Sequence, residues 1–121
     1  MRLATLLGGA ILMGSGIVAA VPAQAALSDC PTNYTCVWAN NDFGGARAQR
    51  AHGNATIWNL DDAHNNTMDS WANRSGTYGS CGWALFNGQG SSQEWDATTN
   101  DNNVGPLNSD VLSSWRTRGG C

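Results

Sequence analysis

The four cysteines are the residues whose chemistry is easiest to interpret: Cys30, Cys36, Cys81 and Cys121. None of them forms a Cys-x-x-Cys pair, the spacing typical of a zinc site. An even number of cysteines in a short chain favours a disulfide framework, and four cysteines allow three pairings. The cysteines therefore predict two structural cross-links.

Side chains with hard oxygen atoms form a second group that could do chemistry. They occur in two clusters: Asp61, Asp62, Asn65, Asn66 and Asp69, and then Asn100, Asp101, Asn102, Asn103, Asn108 and Asp110. Calcium binds six to eight such oxygens with tolerant geometry, so either cluster could hold it. Asn and Asp also favour turns, and solvated turns are the alternative interpretation.

Catalytic patterns are absent from the sequence. His52 and His64 lie in polar segments, and neither belongs to a His-Glu-x-x-His motif. No Gly-x-Ser-x-Gly sequence marks a nucleophilic serine, and so short a domain leaves little room for an active site. We predict that the chain is not an enzyme and requires no cofactor, with calcium as an optional ligand.

The N-terminal 25 residues have the features of a signal peptide. Arg2 precedes an apolar run from Leu3 to about Ala20, and Ala23-Gln24-Ala25 offers a small-x-small cleavage site. We predict cleavage before Ala26, secretion to the extracellular space, and no membrane contact afterwards. Residues 26–121 would then form one domain, which we expect to be monomeric.

The charge of this domain argues against nucleic-acid binding. Its only basic side chains are five arginines, with no lysine, against nine acidic residues. Nucleic-acid binding requires a basic face, which this composition does not supply.

An internal repeat divides the domain into two units, at about residues 30–75 and 76–121. Cys36-Val-Trp-Ala39 matches Cys81-Gly-Trp-Ala84, and Asn65–Trp71 matches Ser109–Trp115, at offsets of 45 and 44 residues. Two matching blocks at nearly one offset indicate a duplicated supersecondary unit.

Each unit is predicted to contain four short strands, because apolar clusters alternate with Gly, Asn, Asp and Ser. The strands are expected near 35–39, 46–50, 55–59 and 70–74, and near 81–86, 92–96, 103–107 and 112–116. Four strands twice predict an all-β, disulfide-stapled Greek-key sandwich. Within it we predict the disulfides Cys30–Cys36, across a turn, and Cys81–Cys121, which would tie the chain end to its own unit.

The six tryptophans separate into two groups. Trp38 with Trp83 and Trp71 with Trp115 recur at matching positions, which favours core packing. Trp58 and Trp95 are free of that constraint, and exposed tryptophans could stack on sugar rings. Gln93-Glu94-Trp95 also resembles one copy of a Gln-x-Trp lectin signature, so a small carbohydrate-binding module is one alternative.

Two motifs resemble those of the βγ-crystallins. Trp38-Ala-Asn-Asn-Asp-Phe43-Gly-Gly45 fits the aromatic-x4-aromatic-x-Gly pattern that opens their Greek keys. The second unit has Gly88 where Phe43 aligns, so we expect its hairpin to be looser. The later blocks resemble the family's Asn/Asp-Asn/Asp-x-x-Ser/Thr-Ser motif. Weak calcium binding is expected because each copy departs from the motif at one position. The ligands that this resemblance implies are Asn65, Asn66, Asp69, Ser109, Asp110 and Ser113.

The segment Cys30-Pro-Thr-Asn-Tyr-Thr-Cys36-Val-Trp, followed by Asn-Asp-Phe-Gly-Gly, resembles peptidase inhibitor family I36. This resemblance implies a secreted inhibitor of an extracellular metallopeptidase that presents a disulfide-tethered loop. The matching bond is Cys81–Gly82, approached through residues 76–80. Since Gly82 cannot fill an apolar pocket, either the target differs, with Tyr78 or Trp83 as the anchor, or this member has lost the inhibitory activity. The alternative is that residues 76–82 only link the two units.

A second implied function is a calcium-stabilised βγ-crystallin domain. Relatives of this shape include killer-toxin-like antifungal proteins, so this alternative carries an antimicrobial or envelope-binding role.

Overall fold

The computed structural model describes residues 26–121, and two four-stranded antiparallel sheets make up most of it. The predicted signal peptide, residues 1–25, lies outside the described residues. Between residues 26 and 121 no helix is long and apolar enough to cross a membrane. The strands are β1 Tyr34–Asn40, β2 Gly44–Ala51, β3 Trp58–Asn59, β4 Ser70–Asn73, β5 Ser80–Leu85, β6 Gln89–Trp95, β7 Thr99–Asp101 and β8 Ser114–Arg116.

The two repeats exchange a strand. The first sheet has the order β7-β4-β1-β2 and the second has the order β3-β8-β5-β6. The third strand of each unit therefore pairs in the sheet of the other unit, as Thr99 opposite Asn73 and Trp58 opposite Trp115 show. This exchange makes the two units one sandwich, which confirms the predicted all-β fold.

The third strand of the second unit was predicted in the wrong place. The chain pairs at Thr99–Asp101, and residues 103–107 form no strand. Local hydrogen bonds explain the difference. The Asn103 backbone N–H donates to the Asp101 carboxylate, and the Gly105 backbone N–H donates to Asn103 Oδ1, each at 3.0 Å. Local side-chain bonds of this kind hold the chain in turns.

Three tryptophan rings form the centre of the core between the sheets. Trp71 stacks on Trp95 with ring centroids 5.3 Å apart, and Trp95 meets Trp115 edge-on at 6.2 Å. Trp95 is fully buried, so the idea that it is free to bind sugar was wrong. The last residue of β6 points inward because side chains alternate along a strand. The core is completed by aliphatic and thioether side chains: Val37, Ala48, Leu60, Met68 and Leu112.

Both predicted disulfides are present, Cys30–Cys36 and Cys81–Cys121. The first lies on the outer face of the first sheet, in a buried cluster with Trp38 and Ala72. The second joins β5 to the chain end, 40 residues later in the sequence. Each sheet therefore carries one cross-link.

The hairpins of the two units have the same backbone. Asp42 and Phe43 have φ values of 58° and 60°, and Asn87 and Gly88 have 61° and 70°. The expectation of a looser second hairpin was wrong. Ile57 replaces the covering ring, since a Cβ on Gly88 would lie 2.6 Å from Ile57 Cδ1 and 3.7 Å from Trp83 Cδ2.

Candidate functional site

The two motif blocks lie against each other at one end of the sandwich. The Asn66 amide donates to the Leu112 carbonyl at 2.8 Å, and the Asp110 amide donates to the Met68 carbonyl at 3.0 Å. Asn66 and Asp110 hold the same position in the two repeats, and both have left-handed backbones, with φ of 57° and 59°. The fold therefore brings the six predicted cation ligands together as two related sets.

The two sets differ in charge. In one, the Ser113 hydroxyl donates to the Asn66 side-chain oxygen at 3.1 Å. In the other, the Ser109 hydroxyl donates a short hydrogen bond to the Asp69 carboxylate, which also contacts Asp110. Desolvation raises the pKa of Asp110, and the negative charge and hydrogen bond of Asp69 raise it further. Asp69, at the fifth position of the first motif copy, thus forms a carboxylate pair with Asp110. Only the second set contains such a pair.

Asn65 adds an oxygen without a protein partner. Its Oδ1 atom is buried and accepts no hydrogen bond, although the residue as a whole is half-buried. Buried polar atoms are normally paired, so a bound cation or a water would suit this position. An amide oxygen of this kind is among the hard oxygen ligands that calcium accepts.

Asp61, Asp101 and Asn103, which belong to the oxygen-rich clusters, serve as turn formers. The Asp61 carboxylate is 2.6 Å from His64 Nδ1, and this hydrogen bond holds the pKa of Asp61 below its ordinary value. Asp101 and Asn103 bind backbone amides, as described above. Across residues 26–121, no group of three or more His, Cys, Asp or Glu side chains could hold a metal. The cation-binding interpretation therefore depends on amide and hydroxyl oxygens of the two motif blocks in addition to the Asp69 and Asp110 carboxylates.

The Cys81–Gly82 bond, which the family resemblance implies as the inhibitory bond, lies inside the central strand β5 and not in an exposed loop. Cys81 pairs with Arg116 on one side and Glu94 on the other, and Cys81 is fully buried. Gly82 faces the core: a Cβ there would lie 2.5 Å from Leu112 Cδ1 and 2.7 Å from the Trp95 ring. A protease could reach this bond only if β5 left the sheet. Residues 76–79 form the exposed to half-buried connection between the units, whereas residues 80–82 of the alternative linker belong to β5.

Tyr78 and Trp83, the proposed anchors, are engaged within the domain. The Tyr78 ring packs edge-on to His52 at 5.1 Å and lies under the Arg118 guanidinium at 5.4 Å. Trp83 is half-buried beneath the Arg116 guanidinium, 5.5 Å from its ring centroid. Neither ring projects freely, so neither is presented as an anchor.

Leu85 and Phe86, which sequence reasoning missed, are the exposed apolar pair of the second hairpin. Leu85 is 58% exposed and Phe86 is 45% exposed. Asn40 and Asn41 hold the matching places in the first hairpin. Comparison of the two repeats position by position would have found this replacement of amide by apolar side chains.

Trp58 is the tryptophan most available for sugar stacking, with 36% of its surface exposed. One of its neighbours is the Trp115 ring at 5.4 Å, and the Arg50 guanidinium lies over its ring, also 5.4 Å from the centroid. Because Trp95 is in the core, the Gln93-Glu94-Trp95 signature cannot form a sugar site. The carbohydrate interpretation therefore depends on Trp58 alone.

Comparison with known protein families finds a match that covers the first unit. Residues 23–80 match peptidase inhibitor family I36. The I36 match confirms the resemblance found in the sequence motifs, and it supports a protease inhibitor at the level of the family. An inhibitor family also confirms the prediction that the chain is not an enzyme. No curated protein sequence matches the chain.

Solved structures similar to this chain are βγ-crystallin domains. A structure described as the evolution of the eye lens βγ-crystallin domain fold has a TM-score of 0.63 and 14% identity, covering 75% of this chain and 91% of that one. A double-mutant βγ-crystallin domain from Clostridium beijerinckii has a TM-score of 0.58 and 21% identity, with coverages of 70% and 96%. At these identities the likeness shows the fold alone.

Proposed function

We propose that the chain is a secreted inhibitor of an extracellular peptidase, with metallopeptidases as the target class. The I36 match over residues 23–80 is the observation that carries this proposal. Two disulfides in a domain of this size are consistent with an extracellular protein, because disulfides persist in oxidising compartments.

The rigidity of the domain supports inhibition. Both sheets are cross-linked, and each hairpin is fixed by a serine from the other end of its own unit. The Ser70 hydroxyl donates to the Asn40 carbonyl, and the Ser114 hydroxyl donates to the Leu85 carbonyl, each at 2.7 Å. A loop that is already ordered loses less conformational entropy on binding, which raises affinity for a given contact area.

Within this proposal, we place the inhibitory contact on a surface other than the Cys81–Gly82 bond. That bond is buried in a central strand, so a substrate-like cut at this point would require the sandwich to open. The inhibitor therefore acts in its folded form, by occupying or covering the cleft of the peptidase.

An inhibition assay against a panel of thermolysin-like metallopeptidases and serine peptidases tests the proposal. Inhibition of metallopeptidases alone supports it as stated. Inhibition of serine peptidases alone keeps the inhibitor function and changes the target class. If no peptidase is inhibited by the folded, disulfide-bonded protein, the proposal fails.

Calcium binding is a second candidate function, favoured by the unpaired Asn65 oxygen and the Asp69–Asp110 carboxylate pair. A cation that binds only the folded state raises its stability by mass action. A melting scan with calcium, with magnesium and with a chelator tests this candidate. Equal melting temperatures in all three conditions would show that the motif blocks are plain turns.

A further inference from the structure

From the second hairpin we infer that Leu85 and Phe86 are the side chains that enter an apolar pocket of the inhibited peptidase. This inference rests on the proposed inhibitor function and identifies the contact surface. The two side chains project from the turn that joins β5 to β6, at Phe86–Gly88. A projecting apolar pair fits a concave cleft, whereas a flat apolar face would not.

The two hairpins differ in sequence while sharing one backbone. Phe43 of the first hairpin packs inward on Trp38, with ring centroids 5.1 Å apart. In the second hairpin Gly88 occupies that inner place, and the apolar side chains stand outside at Leu85 and Phe86. Folding does not require this exposure, because the first hairpin forms the same turn with asparagines there. The exposed pair therefore serves a purpose other than folding.

The tip is held rigidly. Two hydrogen bonds join Asn59 and Asn87. The Asn59 side-chain nitrogen donates to Asn87 Oδ1 at 3.1 Å, and the Asn87 backbone N–H donates to Asn59 Oδ1 at 2.8 Å. The Gly88 amide donates to the Ser114 hydroxyl at 2.9 Å. Strand β3 of the other unit thus buttresses the tip, so its side chains are presented without a large ordering cost.

The charge around the tip favours a peptidase cleft as the occupant. No charged residue occurs between Arg74 and Glu94, a stretch that includes the whole of β5 and the tip. The first hairpin, by contrast, carries Asp42 and Arg47. In space the apolar tip shares a surface depression with one charged side chain, Asp110, and otherwise with neutral residues, which suits an apolar subsite. Anchoring side chains of this kind in desolvated pockets carry most of the affinity of many interfaces.

The test replaces the tip by the sequence of the first hairpin. The variant Leu85→Asn with Phe86→Asn introduces residues that this backbone accepts in the other unit. Leu107→Asn is the matched control, because Leu107 is 89% exposed and lies outside the hairpin. Circular dichroism and melting curves verify that each variant is folded.

We expect the tip variant to raise the inhibition constant about 100-fold, since each buried apolar side chain is worth roughly tenfold or more. Leu107→Asn should leave it unchanged. If the wild type inhibits and the folded tip variant inhibits equally, the inference is overturned while the inhibitor function stands. If the wild type inhibits no peptidase, both are overturned. If the wild type is a dimer and the tip variant is a monomer that inhibits equally well, the tip is a self-association surface and the inference is wrong.

Discussion

Thr35 and Ser80, which occupy the same position in the two repeats, share a hydrogen bond of 2.8 Å between their hydroxyl groups. Both side chains are fully buried where β1 and β5, the first strands of the two units, approach each other. Thr35 also donates to Asn73 Oδ1 at 3.2 Å, and the Asn73 amide nitrogen donates to the Trp95 carbonyl at 2.9 Å. This polar network joins the two sheets across the repeat boundary.

Thr35→Val should destabilise the domain, because it leaves the buried Ser80 hydroxyl without this partner. An unsatisfied buried polar group costs about 1–3 kcal/mol. For a domain of this size, each kcal/mol lowers the melting temperature by roughly 4–8 °C. Adding Ser80→Ala should cost less than the sum of the two single changes. Melting curves of the four proteins measure the coupling, and strict additivity would contradict a direct bond.

The two disulfides should differ in their contribution to stability. Cys81–Cys121 spans 40 residues of sequence and Cys30–Cys36 spans 6. The chain-entropy model gives about 4 kcal/mol for the longer loop and about 2 kcal/mol for the shorter one. Denaturant unfolding of the two paired Cys→Ser variants measures the difference. A larger loss from the Cys30–Cys36 pair would contradict this ranking.

Gly82→Ala should destabilise the domain by about 1–3 kcal/mol through overpacking. The new methyl group would lie within 2.7 Å of the Leu112 and Trp95 side chains. Gly76→Ala is the matched control, since a Cβ there meets nothing within 4 Å. Unfolding curves of both variants check the prediction. If Gly82→Ala folds as stably as the wild type, residue 82 does not face the core.

Asp69→Asn should stabilise the calcium-free protein at neutral pH. The raised pKa of Asp110 means that the folded state holds its proton more tightly than the unfolded chain. The stability from this group is therefore full below the ordinary aspartate pKa and is lost as pH rises through the raised value. The substituted amide would remove the repulsion and keep an oxygen for Ser109, so its benefit should vanish in acid. Melting temperatures from pH 3 to pH 7 test the sign; a benefit that is larger in acid would contradict it.

Calcium should raise the melting temperature of the wild type more than that of Asp69→Asn. Loss of one carboxylate weakens a hard-cation site, and stabilisation follows the ratio of ligand concentration to Kd. At a calcium concentration several times Kd, we expect about 1 kcal/mol for the wild type. Ser113→Ala, in the uncharged set, is the comparison variant. Equal gains in wild type and Asp69→Asn would exclude the carboxylate pair as a ligand.

The two-unit sandwich was predictable because the repeat is visible in short, strongly apolar blocks. Cys36-Val-Trp-Ala39 and Cys81-Gly-Trp-Ala84 identify equivalent strands without any knowledge of pairing. The exchange of β3 and β7 between sheets was not predictable from local sequence. β7 has the polar sequence Thr99-Asn-Asp101, which carries no alternation of apolar side chains to mark a strand.

The position of Gly82 could have been predicted from the repeat. It aligns with Val37, a core residue of β1, so it had to face the core. The resemblance to the inhibitor family assigned the inhibitory bond to Cys81–Gly82 by its cysteine. The alignment of Gly82 with Val37 was not considered in that assignment. Trp95 was harder to place, because its matching region in the first unit holds no tryptophan. Its large ring takes the space that a side chain at Gly82 would need.

Titration of a thermolysin-like metallopeptidase with the folded, disulfide-bonded protein tests the central claim most directly. The account predicts that peptidase activity falls as inhibitor is added and is lost near equimolar ratio at micromolar concentrations. It also predicts that the inhibitor is recovered with its Cys81–Gly82 bond intact, because that bond is buried in β5. Full activity at roughly tenfold molar excess of the protein, where even a micromolar Kd would give extensive binding, would contradict the claim.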